Sequence, residues 1–392
     1  GPLALGAARA ELARAWAEEP QLHLADFLVC GYPYPACYML DDVPGAAETP
    51  VLLPLHGTVV TEYIDARLHG WVFSTLSRWT RRNTGAAGPR WVVAMNRIEH
   101  FWMRQAFGEV PFLPQASRYM HRFVDRSLGS DLRLQRPNHL SKRVLLYRFS
   151  WALLGTDAGL MQQLVLHAAA EARLAVRPVV ASRSHEAWEL LNFRAAVLIP
   201  WDWEITSFIE LYRLALPLFV PRDEFMQALI WHSMRNGEVR RQQRFIRFRR
   251  EWWEGAPCHT LALCRAGAAA DGAGGRRTSR GAASAWAASK RPAPPWVDWG
   301  DAQPVIEQIR YWFAETDYAR FPHLMRFAGV ADLLRQLPLF DARACAARMR
   351  RENADAAEAS AAMYQTLLAD VAGPAWGGVA ALGRLQPAMQ KK

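Results

Sequence analysis

The sequence lacks the short motifs that mark several large enzyme classes. It contains neither a GxxxxGK[ST] phosphate loop nor a GxGxxG turn, which disfavours a P-loop nucleotidase or a standard dehydrogenase. It contains no GxSxG turn, which argues against an α/β-hydrolase. No CxxC pair occurs, which argues against a zinc ribbon or a redox motif.

Long apolar runs are also missing. No stretch of about 20 apolar residues appears, so we expect no membrane-spanning helix. The chain begins GPLALG without Met, so the loss of an N-terminal signal or anchor stays open. Localisation therefore stays open between the secretory-pathway lumen, if an anchor was lost, and the cytoplasm.

Cysteine is scarce, with five residues in the chain. An odd number with irregular spacing matches no small disulfide framework, so reduced thiols are expected. A Cys30–Cys37 or a Cys258–Cys264 bridge stays open if the protein is luminal.

The bulk composition is that of a folded, basic protein. Hydrophobic residues make up 51% of 392 residues, which suits a globular chain of two domains. The seventeen Trp suit deep packing or a stacking, carbohydrate-like site. The formal charge of +10 favours anionic partners such as nucleic acid, phosphates, nucleotide diphosphates or an anionic membrane surface.

Apolar runs bounded by Gly or Pro alternate with helical patterns along most of the chain, which predicts parallel sheets flanked by helices. The predicted strands are 25–33, 50–58, 89–96, 110–119, 143–150, 177–183, 195–200 and 216–221. The predicted helices between them are 62–82, 98–108, 159–175, 184–193, 206–215 and 222–234. Two successive blocks of this kind imply an α/β protein with two Rossmann-like, doubly wound domains.

The predicted domains are separated by segments of different composition. The domains are 1–135 at the N-terminus and 140–260 with 296–340 at the C-terminus, joined through a polar linker at 125–142. Residues 266–295 are rich in Gly, Ala, Ser and Arg, which predicts a disordered insertion. Residues 301–335 are predicted as helix, turn and helix, and 341–371 as a long C-terminal helix.

The segment AAVLIPWDWEITSFIELYRLALPLFVP, residues 195–221, places acidic side chains between two buried strands. In a doubly wound sheet, ligands bind where the strands end and the following helices begin. The helix start at Thr206 and Ser207 would offer free N–H groups to phosphate oxygens. Glu210 would lie one turn into this helix, within reach of ribose hydroxyls, and Asp202 would point into the cleft.

These residues resemble glycosyltransferases of the two-domain GT-B architecture, with eukaryotic exostosin-like or retaining-type relatives. Glu210, then five residues, then Leu-Pro-Leu-Phe-Val at 216–220 follow the pattern of an acidic helix and a proline-led strand. Asp202 and Glu210 have the seven-residue separation of the two acids in retaining members. Since the first acid of that pair is usually Glu, Glu204 is the alternative to Asp202.

Other segments carry the same resemblance. PVLLPLHGT places His56 where a histidine faces the sugar in such enzymes, and LLYRFSWALLG places Arg148 where a basic residue contacts the diphosphate. Asn96 and Tyr119 follow the matching pattern of the last N-domain strands, as weaker candidates. The architecture also implies that the final helix packs back toward the N-domain.

The resemblance implies a metal-independent glycosyltransferase that uses a UDP- or GDP-sugar, with no other cofactor. The N-domain would take a carbohydrate, glycoprotein or other hydroxyl acceptor, and the C-domain would take the donor. His56, Asp202 and Glu204 would be the catalytic candidates, with His56 as a base or a hydrogen-bond partner of the sugar. Arg148, Ser207 and Glu210 would bind the donor.

Two other functions stay open. The missing glycine-rich turns favour a non-catalytic protein that keeps a degenerate GT-B-like shell and binds a partner. A nucleic-acid-binding protein would use the basic run RNGEVRRQQRFIRFRREWW at 235–253, where arginines alternate with aromatic residues. No RNA-recognition or zinc-finger pattern accompanies this run, so it is also read as a solvated helix face.

Overall fold

The structure is a computed structural model, and its two compact units are described separately. The first unit comprises residues 1–114, 250–282 and 358–392, and the second comprises residues 115–249 and 283–357. The structure describes residues 5–25, 27–30, 34–46, 48–55, 69–82, 90–107, 110–112, 139–147, 156–180, 187–200, 206–235, 310 and 313–372. The predicted insertion at 266–295 and the basic run beyond residue 235 lie outside these residues.

The first unit alternates short strands with helices. Its elements in chain order are α1 (Leu5–Glu18), α2 (Pro20–His23), β1 (Leu28–Val29), α3 (Tyr34–Tyr38), a 3-10 helix (Met39–Asp42), β2 (Val51–Leu55), α4 (His69–Arg82), β3 (Arg90–Ala94) and α5 (Arg97–Phe107). The last turns of the C-terminal helix α12 (Ala342–Ala372) also belong to this unit.

The second unit has the longer alternation. Its elements are β4 (Arg143–Tyr147), α6 (Thr156–Glu171), β5 (Arg177–Val180), α7 (Ala187–Leu190), β6 (Ala195–Leu198), α8 (Thr206–Arg213), β7 (Leu218–Pro221), α9 (Asp223–Arg235), α10 (Asp317–Arg320), β8 (Met325–Phe327), α11 (Val330–Leu339) and the first part of α12.

The sheet of the first unit is parallel and has the order β1-β2-β3. Val51 pairs with Arg90 at one end of the ladder and Leu55 with Ala94 at the other. Leu52 and Val93 pack against Leu367 of α12, while α4 and α5 pack along β3. Because its apolar residues need cover on both faces, a parallel sheet of this kind is flanked by helices.

The sheet of the second unit is also parallel, with the order β5-β4-β6-β7-β8. The chain moves from β4 to β5 in one direction and then returns past β4 to add β6, β7 and β8 on the other side. Because crossover connections are right-handed, those that run in opposite directions along the sheet put their helices on opposite faces of it. On one of these two faces, α6 packs against α11. The predicted α/β class with parallel sheets is therefore confirmed.

Three predicted elements differ from the structure. Within the described residues of the strand predicted at 25–33, the strand covers Leu28–Val29. Within the described residues of the apolar run at 110–119, Phe112 forms one isolated bridge to Ala94. The prediction of helix, turn and helix over 301–335 is wrong within its described residues, because β8 lies between α10 and α11 there and pairs with β7. Among the described segments, no helix is long and apolar enough to cross a membrane.

The expectation of reduced thiols is wrong for two of the cysteines. Cys30 and Cys37 form a disulfide, with their Cα atoms 5.8 Å apart. Cys345 is free and buried, and burial raises the pKa of its thiol to about 11. Cys258 and Cys264 lie outside the described residues.

Candidate functional site

The order of strands in the second sheet defines a topological switch point between β4 and β6. These strands are neighbours in the sheet, with Tyr147 paired to Leu198 at their carboxyl ends. The connection after β4 leads to β5 on one side, and the connection after β6 leads to β7 on the other. The two connections therefore diverge here, and ligands of doubly wound sheets bind in the crevice that this divergence opens.

The residues predicted to bind the donor flank this switch point in sequence. Arg148 directly follows Tyr147, the last residue of β4, but Arg148 lies outside the described residues. Asp202 and Glu204 fall between β6 and α8 and also lie outside them. Ser207, which is the second residue of α8, is described and half-buried.

The helix α8 is buried on every side after its first turn. Phe208, Ile209, Leu211 and Tyr212 are all less than 4% exposed. A short apolar helix of this kind is held by its neighbours rather than by its own helix propensity. Its N-terminus follows β6 in the chain, and the N–H groups of its first turn carry the positive end of the helix dipole.

Glu210 lies on α8 at the predicted position one turn from the N-terminus, and it is 5% exposed. Arg213 follows three residues later on the same helix. Burial lowers the pKa of Arg213, while the nearby carboxylates of Glu352 and Glu210 act in the opposite direction. Glu210 and Glu352 therefore form an electrostatic cluster with Arg213.

The C-terminal end of α8 is held by Asn353, a residue that the sequence analysis did not predict to have a role. The side-chain amide of Asn353, on α12, donates to the carbonyls of Tyr212 at 3.0 Å and Arg213 at 3.3 Å. Arg213 donates back to the Asn353 carbonyl at 3.1 Å. The bond to Arg213 satisfies a carbonyl that a helix C-terminus leaves without an intrahelical partner, whereas the Tyr212 carbonyl also accepts from the Ala215 N–H at 2.9 Å. No local signal identifies Asn353, because it lies 141 residues from Tyr212 in the chain.

Aromatic rings pack against one side of α8. Phe208 meets Phe321 edge to face at 5.2 Å, and Tyr212 meets the same ring at 4.7 Å. The Tyr212 hydroxyl donates to the carbonyl of Pro322 at 3.0 Å. The segment just before β8 thus packs against one side of α8.

In the first unit, the carboxyl edge of the sheet carries a buried polar pair. Asn96 follows β3, and its Oδ1 accepts a hydrogen bond from the Glu99 backbone N–H at 2.8 Å. Its amide donates to the Glu99 carboxylate at 3.1 Å, and both residues are at most 2% exposed. Asn96 therefore caps α5. His56 directly follows β2 at this edge, and it lies outside the described residues together with Tyr119.

No protein-family model, curated protein or solved structure matches this chain. The function is therefore inferred from the site alone. In the segments that the structure describes, no group of three or more His, Cys, Asp or Glu side chains could hold a metal ion.

Proposed function

We propose that this chain is a nucleotide-sugar-dependent glycosyltransferase of the GT-B type, and that its second unit binds the donor. The observation that carries the proposal is the switch point, where Tyr147 and Leu198 are paired at the carboxyl ends of β4 and β6. A parallel sheet with this reversal offers a crevice suited to a nucleotide. The N-terminus of α8 adds backbone donors suited to a diphosphate.

In this proposal each candidate residue has one task. Arg148 and the first turn of α8, which includes Ser207, stabilise the negative charge that grows on the departing diphosphate. Glu210 orients the ribose by accepting hydrogen bonds from its hydroxyl groups. Asp202 or Glu204 lines the sugar pocket.

The first unit takes the acceptor in this proposal. Its candidate is His56, which follows β2 at the carboxyl edge of the first sheet and would accept a proton from the acceptor hydroxyl. Asn96 is left with a structural role, because its side chain caps α5. The acceptor is a hydroxyl-bearing molecule such as a carbohydrate or a glycoprotein.

The burial of Glu210 favours a second candidate, a non-catalytic protein with a degenerate shell of the same architecture. With 5% of its surface exposed, Glu210 presents few atoms to a ligand. A carboxylate that serves only the electrostatic cluster with Arg213 would stabilise α8 without binding a ribose. If Glu210 binds the ribose, the loss of its carboxylate lowers the affinity for the nucleotide. If Glu210 has only a structural role, the loss leaves that affinity unchanged.

A thermal-shift screen separates these candidates. The ligands are UDP, GDP, ADP and CMP together with UDP- and GDP-sugars. A ligand at about 100 times its dissociation constant that binds the native state alone adds about 2.7 kcal/mol of stability. We expect one nucleotide to stabilise the chain selectively.

The variant Glu210→Gln keeps the size of the side chain and removes its charge, and it should lose this shift while still folding. Glu224→Gln is the matched control, because Glu224 is an exposed acid in the first turn of the next helix, α9. An unchanged shift in Glu210→Gln removes Glu210 from the site. The absence of a shift with every nucleotide favours the non-catalytic candidate.

A further inference from the structure

The amino edge of the second sheet, opposite the switch point, carries a row of arginines. Arg143 and Arg177 are the first residues of β4 and β5 and are paired in register. Arg194 directly precedes β6, and its N–H donates to the Arg143 carbonyl at 2.9 Å. Since neighbouring strands lie about 4.8 Å apart, three arginines stand side by side on three adjacent strands.

The start of α12 adds more positive charge at this edge. Arg194 donates to the carbonyl of Phe340 at 2.9 Å, and its guanidinium lies 4.9 Å from the centre of the Phe340 ring. These contacts fix the Arg194 side chain beside the first turn of α12, which carries Arg343, with Arg350 two turns further on.

His139, four residues before β4, lies among these charges and is half-buried. Burial and the charges of Arg350, Arg343 and Arg194 lower the pKa of its imidazole. Asp341 is the acidic group that acts on it in the opposite direction. Asp341 already accepts a hydrogen bond from the Ala344 N–H at 2.9 Å, which caps α12.

This edge has little compensating charge in the part of the chain that the structure describes. There, Arg143, Arg177, Arg194 and Arg343 form no ion pair with a carboxylate. The Nδ1 atom of His139 and the Nε atom of Arg194 are shielded from solvent and have no hydrogen-bond partner. Shielded polar atoms of this kind are seldom left unsatisfied, and a bound ion is one of the ways in which they are satisfied.

We propose that His139, Arg194, Arg343 and Arg350 form a binding site for a phosphate or sulfate group at the amino edge of the second sheet. A tetrahedral oxyanion supplies the missing acceptors, and guanidinium groups bind it through charge-assisted hydrogen bonds. The bound anion offsets the repulsion among the arginines. It also favours the protonated imidazole, so His139 takes up a proton when the anion binds.

Sulfate binding to the full chain, followed by the ring signals of labelled histidines, tests this site. The chain has 11 histidines, and the signal missing from His139→Gln assigns this one. We expect sulfate to raise the pKa of His139, whereas chloride at equal ionic strength leaves it unchanged. An unmoved His139 with both sulfate and inorganic phosphate overturns the proposal. Because sulfate does not titrate near neutral pH, its affinity should rise as pH falls through the titration of His139.

A pair of matched variants locates the site. The double substitution Arg343→Gln and Arg350→Gln should weaken sulfate binding about tenfold or more, because it removes charge-assisted bonds. Arg348→Gln with Arg351→Gln makes the same change of charge on other faces of α12 and should preserve binding. Equal losses in the two double variants would show general charge attraction and would contradict a defined site.

The relative response to the two anions identifies the natural group. Tighter binding of phosphate than of sulfate assigns the site to phosphate groups, and the reverse assigns it to sulfate groups. Glu210→Gln should leave sulfate binding intact, so failure of the donor proposal and failure of this one are distinguishable.

Discussion

Replacing Asp41 by Asn should destabilise the first unit by removing the partner of a fully buried arginine. The Asp41 carboxylate accepts hydrogen bonds from Arg90 at 2.8 Å, Arg78 at 2.7 Å and the Trp79 indole at 2.8 Å. The Arg90 side chain has 0% exposure. In the substituted protein it keeps its bonds to the backbone carbonyls of Ala46 and Thr49.

The size of the effect follows from this burial. Breaking a buried ion pair by removing one partner costs about 3–5 kcal/mol, because the remaining charge is left uncompensated. We expect about 3 kcal/mol for Asp41→Asn, at the lower end, since Arg90 retains its two carbonyl acceptors. Asp42→Asn is the control, because Asp42 forms a more exposed ion pair with Arg9, and it should cost about 1 kcal/mol or less.

Hydrogen exchange in urea measures the loss in this unit alone, through the amides of β2 and β3. A cost below about 1 kcal/mol for Asp41→Asn, equal to that of an exposed pair, would refute the reasoning. The pH dependence offers a second check. Burial alone would raise the pKa of Asp41, but its bonds to Trp79 and Arg90 outweigh this and lower it. The contribution of the pair should therefore be complete above the ordinary pKa of 3.8 and be lost as pH falls below it.

Three other predictions concern the second unit, the C-terminal helix and the disulfide. Asn353→Ala should lower the free energy of unfolding of the second unit by about 1–3 kcal/mol, because it removes the side-chain amide that donates to the Arg213 carbonyl at the end of α8; an unchanged denaturation curve would contradict the assigned cap. Leu367→Ala should cost the first unit about 2–5 kcal/mol by hydrogen exchange, since Leu367 is 7% exposed and packs on both β2 and β3; a loss below 1 kcal/mol would show that this packing is loose. Alkylation without reductant should spare Cys30 and Cys37, and modification of either before reduction would contradict the bridge.

The sequence predicted strands best where a buried parallel strand gives a continuous apolar run. This holds for β2, β3, β4, β6 and β7, whose predicted ranges contain the observed strands. β8 was not predicted because it is three residues long and its middle residue is charged. Arg326 is tolerated there because it forms an ion pair with Asp223 at 2.9 Å, a partner 103 residues away.

The candidate site was predictable only in part, for a physical reason. The start of α8 at Thr206 was predicted from the end of an apolar run and the following helical spacing. The pairing of β4 with β6 was not predicted, because strand order depends on long-range contacts that no local sequence pattern shows. The hydrogen bonds from Asn353 and the cluster at His139 have the same origin, because each joins segments far apart in the chain.

Hydrogen exchange with and without the nucleotide that gives the largest thermal shift tests the central claim most directly. The claim is that a nucleotide binds where β4 and β6 end and α8 begins. The account predicts protection of the peptides covering 144–160 and 196–210, with no change at the amino edge around His139. Protection confined to other segments, or no protection with any nucleotide, would contradict the assignment of this switch point as a donor site.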